Sequence, residues 1–94
     1  MKWKTVNALI DDKDIPVKAR PIARMFALAG IRTQVKGEVM RLFRPDADRL
    51  RRKHGGCDFA DAMMIEIESD PEKSAAWDSE LFNWLEYGGE KHVH

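Results

Sequence analysis

Cysteine is almost missing from this chain. Cys57 stands alone among 94 residues, so no internal disulfide can form. That excludes a stapled secreted scaffold and points to a reducing compartment, the cytoplasm. Long hydrophobic runs are missing too. The longest, Met25–Ile31, covers seven residues, far short of the roughly 18–20 that a membrane helix needs, and it lies too far inside the chain for a secretion signal. Neither Gly-x-Ser-x-Gly, nor a phosphate-binding P-loop, nor Gly-x-Gly-x-x-Gly occurs, so an enzyme is not expected. Internal repeats and low-complexity tracts are also lacking.

What is present is a globular composition, 44% apolar and 34% charged, at a length that supports one core. We expect a small single domain, 1–94, mainly α, with an α+β alternative carrying one short hairpin around residues 31–43. The order of the charges is less ordinary. Through His54, fourteen Lys and Arg face six acids, a balance of +8; from Gly55 onward, two bases face ten acids, a balance of −8. A basic half 1–54 and an acidic half 55–94 meet at Gly55-Gly56. Each is too small to hold a core alone, so the halves should pack together. Such a split points to a macromolecular partner of one sign, or to halves that attract each other within the chain or across a homodimer.

The segment 1–10 reads as a short strand or a docking segment. Asp14-Ile15-Pro16 and Arg20-Pro21 offer helix starts, and Ile22, Met25, Phe26 and Ala29 form the stripe of a helix that ends near Ala29 with Gly30 in the left-handed position beyond it. Residues 31–44 have two readings. As a helix capped by Thr33 they gather Val35, Val39, Leu42 and Phe43 on one face; as a hairpin turning near Lys36-Gly37 they alternate Ile31, Thr33, Val35 and Val39, Arg41, Phe43 on a shared face. The wheel is the cleaner pattern, and the helix is preferred. A short helix follows Pro45, with Asp46 and Asp48 first and Arg49, Arg51, Arg52 and Lys53 last, stopped by Gly55-Gly56. Asp58 caps a segment with Phe59, Met63 and Ile67 four apart, although Ile65–Glu68 also alternates like a strand. Asp70 and Pro71 open a last helix whose stripe of Ala75, Trp77, Leu81, Trp84 and Leu85 closes at Gly88-Gly89.

A helix, a Gly30 turn and a second helix resemble the shape of a helix-turn-helix. That resemblance implies that Gln34, Lys36 and Arg41 read bases while Lys18, Arg20, Arg24 and Arg44 meet phosphates; the plain alternative is an amphipathic pair with a solvated basic face. The run Arg49, Arg51, Arg52 and Lys53 could grip a phosphate backbone or an acidic partner, or simply compensate a helix dipole. Trp84 and Tyr87, beside Trp77 and Leu81, suit a docking edge rimmed by Glu80 and Glu86, while the competing reading has Trp77 and Leu81 closing the core. His54-x-x-Cys57 and His92-x-His94 lack the spacing of a zinc module, so neither a metal nor a cofactor is expected. The expectation is a non-enzymatic regulatory protein, an inhibitor or adaptor, docking on another protein or nucleoprotein complex through a charge-polarised surface. A DNA-binding transcriptional regulator of helix-turn-helix type is the alternative, and no membrane partner is expected.

Overall fold

The computed structural model describes residues 2–10 and 13–85. Its elements are β1 (Lys4–Thr5), α1 (Arg20–Leu28), β2 (Thr33–Lys36), β3 (Val39–Leu42), α2 (Arg44–Lys53), α3 (Phe59–Glu68) and α4 (Pro71–Trp84). The strands form one antiparallel sheet in the order β1-β2-β3. This is a mainly helical small domain with a short hairpin, and no described helix is long and apolar enough to cross a membrane.

The helix preferred over 31–44 is not formed. Those residues make the β2–β3 hairpin, in register Thr33 with Leu42, Gln34 with Arg41, Val35 with Met40 and Lys36 with Val39. Gly37 explains the outcome. It sits at φ +60° in the first position of a two-residue turn, with no positive φ at Glu38, the pattern of a II′ turn. Gly37 would cost a helix about 1 kcal/mol, while β-branched Thr33, Val35 and Val39 favour the strands. Thr33 therefore caps nothing: it is buried, and its hydroxyl donates to Ile31 O at 2.9 Å. The second helix of a helix-turn-helix is absent from this segment.

Local signals elsewhere behave as their chemistry requires. Asp58 accepts from Ala60 N, and Asp70 accepts from Glu72 N and Lys73 N, so both carboxylates cap helices. Ile65–Glu68 is helical, not extended. Gly30 takes up the left-handed turn after α1 at φ +85°. The expected close of the last helix at Gly88-Gly89 lies outside the described residues.

α1 is packed on two sides. Towards the sheet, Ala23 joins Val6, Ile15 and Val35, with Ala19, Ala27 and Met40 at the margin, and the small alanines let helix and sheet approach closely. Towards the other helices, Leu28 and Ala29 join Ile31, Leu50, Ala62, Met63 and Ile67 in the larger core, which Met25, Phe26 and Trp77 also pack against. Phe26 stacks on Phe59 of α3 with ring centroids 6.0 Å apart. Ile22, expected in the buried stripe, is exposed, because the packed arc of α1 runs through Pro21, Ala23, Arg24 and Leu28 instead. α1 thus lies between the sheet and the pair α3 and α4, and among the described residues no helix covers the other face of the sheet.

Candidate functional site

The open face follows from the pleat. Alternate residues of a strand point to opposite sides, so with Val6, Thr33 and Val35 buried on one side, Thr5, Gln34, Lys36, Val39 and Arg41 stand on the other. Trp3 precedes β1 on this same side, and its ring receives the Arg41 guanidinium at 4.1 Å and the Lys36 ammonium at 5.4 Å. At the other end Phe43 N donates to Arg32 O at 2.9 Å, extending the ladder by one pair, and the Arg32 guanidinium lies 3.9 Å above the Phe43 ring. Arg41 Nε donates to Gln34 Oε1 at 2.7 Å, and Gln34 Nε2 donates to Thr5 Oγ1 at 3.3 Å. Between these groups runs an open groove of about 370 Å³, lined by Thr5, Arg32, Gln34, Arg41, Leu42 and Phe43.

Asp46 anchors one end of this face. Its carboxylate is buried and accepts from Arg32 N at 3.0 Å, Arg32 Nε at 2.8 Å, Arg32 Nη2 at 3.0 Å and Arg49 Nη1 at 3.1 Å. The bidentate fork from Arg32, reinforced by its backbone amide, holds the Asp46 carboxyl far below the usual carboxylate range. Asp46 therefore remains ionised and fixes the Arg32 plane over Phe43, while the Arg32 side chain stays 66% exposed.

The sequence-derived candidates separate once they are placed. Gln34, Lys36 and Arg41 do come together, on strands rather than on a recognition helix. Arg24 does not face a phosphate: it is buried, donates from Nη2 to Ala8 O at 2.8 Å and lies 3.5 Å from Glu80 Oε1. Glu80, expected on the rim of a docking edge, is only 3% exposed for the same reason. Lys18 and Arg44 are exposed, and Arg20 is half-buried near Glu80 and Trp84. In the basic run, Arg49 joins Asp46 and Arg51 Nε donates to Cys57 O, whereas Lys53 Nζ reaches Glu66 Oε1 at 3.0 Å. Arg52 is exposed. All four remain exposed on α2, three of them with a contact to Asp46, Cys57 O or Glu66.

Glu66 also has His54 Nε2 at 2.9 Å, and hydrogen bonds from His54 and then Lys53 hold its carboxyl below the usual value. Leu81, read as a core residue, is partly exposed, Phe82 and Leu85 are exposed, and Trp84 stands open beside Val17. Tyr87, Glu86, His92 and His94 lie outside the described residues. Among the described residues, no cluster of three or more His, Cys, Asp or Glu is arranged to hold a metal ion. Reasoning from sequence missed Arg32, Asp46, Trp3 and Phe43 as members of one site. The hairpin reading put Arg41 and Phe43 together but on one face with Thr33 and Val35; the turn at Gly37 pairs Val35 with Met40 and Gln34 with Arg41, so Thr33 and Val35 fall on the opposite, buried side, and the Asp46 contact across 14 positions left no signal.

No family model, curated protein or solved structure matches this chain.

Proposed function

We propose that this is a small regulatory binding protein, an inhibitor or adaptor without catalysis of its own, that docks in the cytoplasm on a larger protein or nucleoprotein complex. The open sheet face is the docking surface. One observation carries this reading: three cations, Arg32, Lys36 and Arg41, stand together on rings and polar groups of an uncovered sheet, while the hairpin contributes a single acid, Glu38, at its turn. Eight of the sixteen acids of the chain belong to α3, α4 and their caps, and α1 lies between those helices and the sheet, so this half of the acids stands away from the open face. A surface of this kind suits an anionic partner and fast, salt-sensitive association. The reading of the chain as a duplex-DNA regulator loses its recognition helix and is not favoured.

A photo-crosslinking side chain at Val39, on the open face, tests the proposal against the same group at Ala75, exposed on α4. Adducts of defined size from the Val39 position, suppressed by Arg41→Glu in an equally stable protein, are expected. Adducts that are equal at the two positions, or indifferent to the charge reversal, would overturn it.

A further inference from the structure

We infer that the partner component seated on the open sheet face is single-stranded nucleic acid, its bases stacked on the ring and guanidinium planes and its phosphates held by Lys36 and Arg41. This rests on the docking reading above and names its ligand.

Two arginine–ring pairs stand on this face. The guanidinium carbons of Arg32 and Arg41 lie 3.9 and 4.1 Å from the ring centroids of Phe43 and Trp3, and both aromatic rings and arginine planes are platforms on which unpaired bases stack. Phe43 with Arg32, and Trp3 with Arg41, supply two such platforms at opposite ends of one groove. The Arg32 plane does not need to be ordered on binding, because Asp46 already holds the guanidinium through two hydrogen bonds, with a third from the Arg32 backbone amide. Preorganisation of this sort reduces the entropy lost when a ligand is bound.

Between the platforms lie the polar groups that touch base edges or sugars: the Gln34 amide and the Thr5 hydroxyl, linked to each other at 3.3 Å. The groove volume, about 370 Å³, falls in the range of ligand clefts. An acidic peptide would satisfy the cations but has no use for two stacking planes. A duplex keeps its base faces stacked inside, so it too offers nothing to two stacking planes. Charge and rings together therefore favour an unpaired strand over either.

The test is fluorescence anisotropy of the full chain with labelled single strands of about ten nucleotides, RNA and DNA in separate arms, against a hairpin duplex and polyglutamate. Single strands should bind with a salt slope of about −1.4, from about −0.7 for each of the two phosphates held by Lys36 and Arg41. Phe43→Ala should weaken that binding about tenfold, as should Trp3→Ala, with Trp3→Phe recovering most of the loss. Thermal melting of each variant checks that the fold is kept; Phe43 is half-open to solvent, so its replacement is the variant that stays folded if Trp3→Ala does not. The RNA and DNA arms tell whether a ribose hydroxyl is read, and binding in either supports the inference.

Equal binding of duplex or polyglutamate, or single-strand binding indifferent to Phe43→Ala, overturns it. So does failure of every single strand to bind. If in that case the Val39 adducts are still suppressed by Arg41→Glu, the docking reading survives with a protein as its partner.

Discussion

Two arginine–carboxylate pairs in this protein, Arg24 with Glu80 and Arg32 with Asp46, have the same chemistry and opposite uses. In the first, both partners are buried between α1 and α4, 3.5 Å apart, and Arg24 also ties down the N-terminal segment through Ala8 O. In the second only the acid is buried, and the arginine is left open on the sheet face. The difference is one of solvent. A pair removed from water on both sides joins elements and offers nothing to a ligand, while a pair with a buried carboxylate turns its arginine into a fixed, exposed plane. Burial of the acid positions; exposure of the base recruits.

The sharpest way to break the comparison is to remove one member of the closed pair. Glu80→Ala leaves Arg24 buried without its counterion and should cost about 3–5 kcal/mol in urea unfolding. The double replacement Arg24→Met with Glu80→Leu should recover much of that, since Glu80 Oε1 has no hydrogen bond beyond the ion-pair contact. If the double variant is as unstable as the single one, the pair is not an isolated electrostatic unit.

Asp46→Asn attacks the open pair and should cost less, about 2 kcal/mol, while also loosening Arg32 from Phe43 and weakening partner binding. Acid should expose the same group. A carboxyl held far below its unfolded value near 4 contributes stability that is present above that value and disappears as the pH falls below it. Glu66, lowered by His54 and Lys53, adds in the same direction. Stability followed by denaturation between about pH 6 and 2 should therefore decline on the acid side, and less steeply in Asp46→Asn.

Smaller effects sharpen the contrast. Lys53→Ala removes a largely exposed partner of Glu66 and should cost under about 1 kcal/mol. Smallest of all, Lys36→Ala should change stability by no more than about 0.5 kcal/mol and yet reduce binding at the sheet face. A loss of stability as large as that of Asp46→Asn would show that Lys36 is part of the framework.

Much of the framework was legible residue by residue. Asp58, Asp70 and Pro71 mark helix starts because a side-chain oxygen or a missing N–H acts within three residues, and Gly30, Gly55 and Gly56 mark helix ends because positive φ is a local property of glycine. Such signals do not wait for tertiary contacts. The sheet face was legible only in part: the alternation in 31–44 was visible, but so was a helical stripe, and four apolar positions satisfy either period in so short a segment.

Composition and order along the chain by themselves determined one core, the opposed charges of the two halves and the positions where helices begin and stop. Only the tertiary structure decided which charges stay in water. Arg24 and Arg41 look alike in the sequence, and their fates part because Arg24 falls on the arc of α1 that meets α4, where Glu80 compensates it, whereas Arg41 falls on the side of the pleat away from α1, where it meets the Trp3 ring and stays exposed. The cost of burying a charge depends on whether an opposite charge arrives from a distant element, and no local pattern records that arrival.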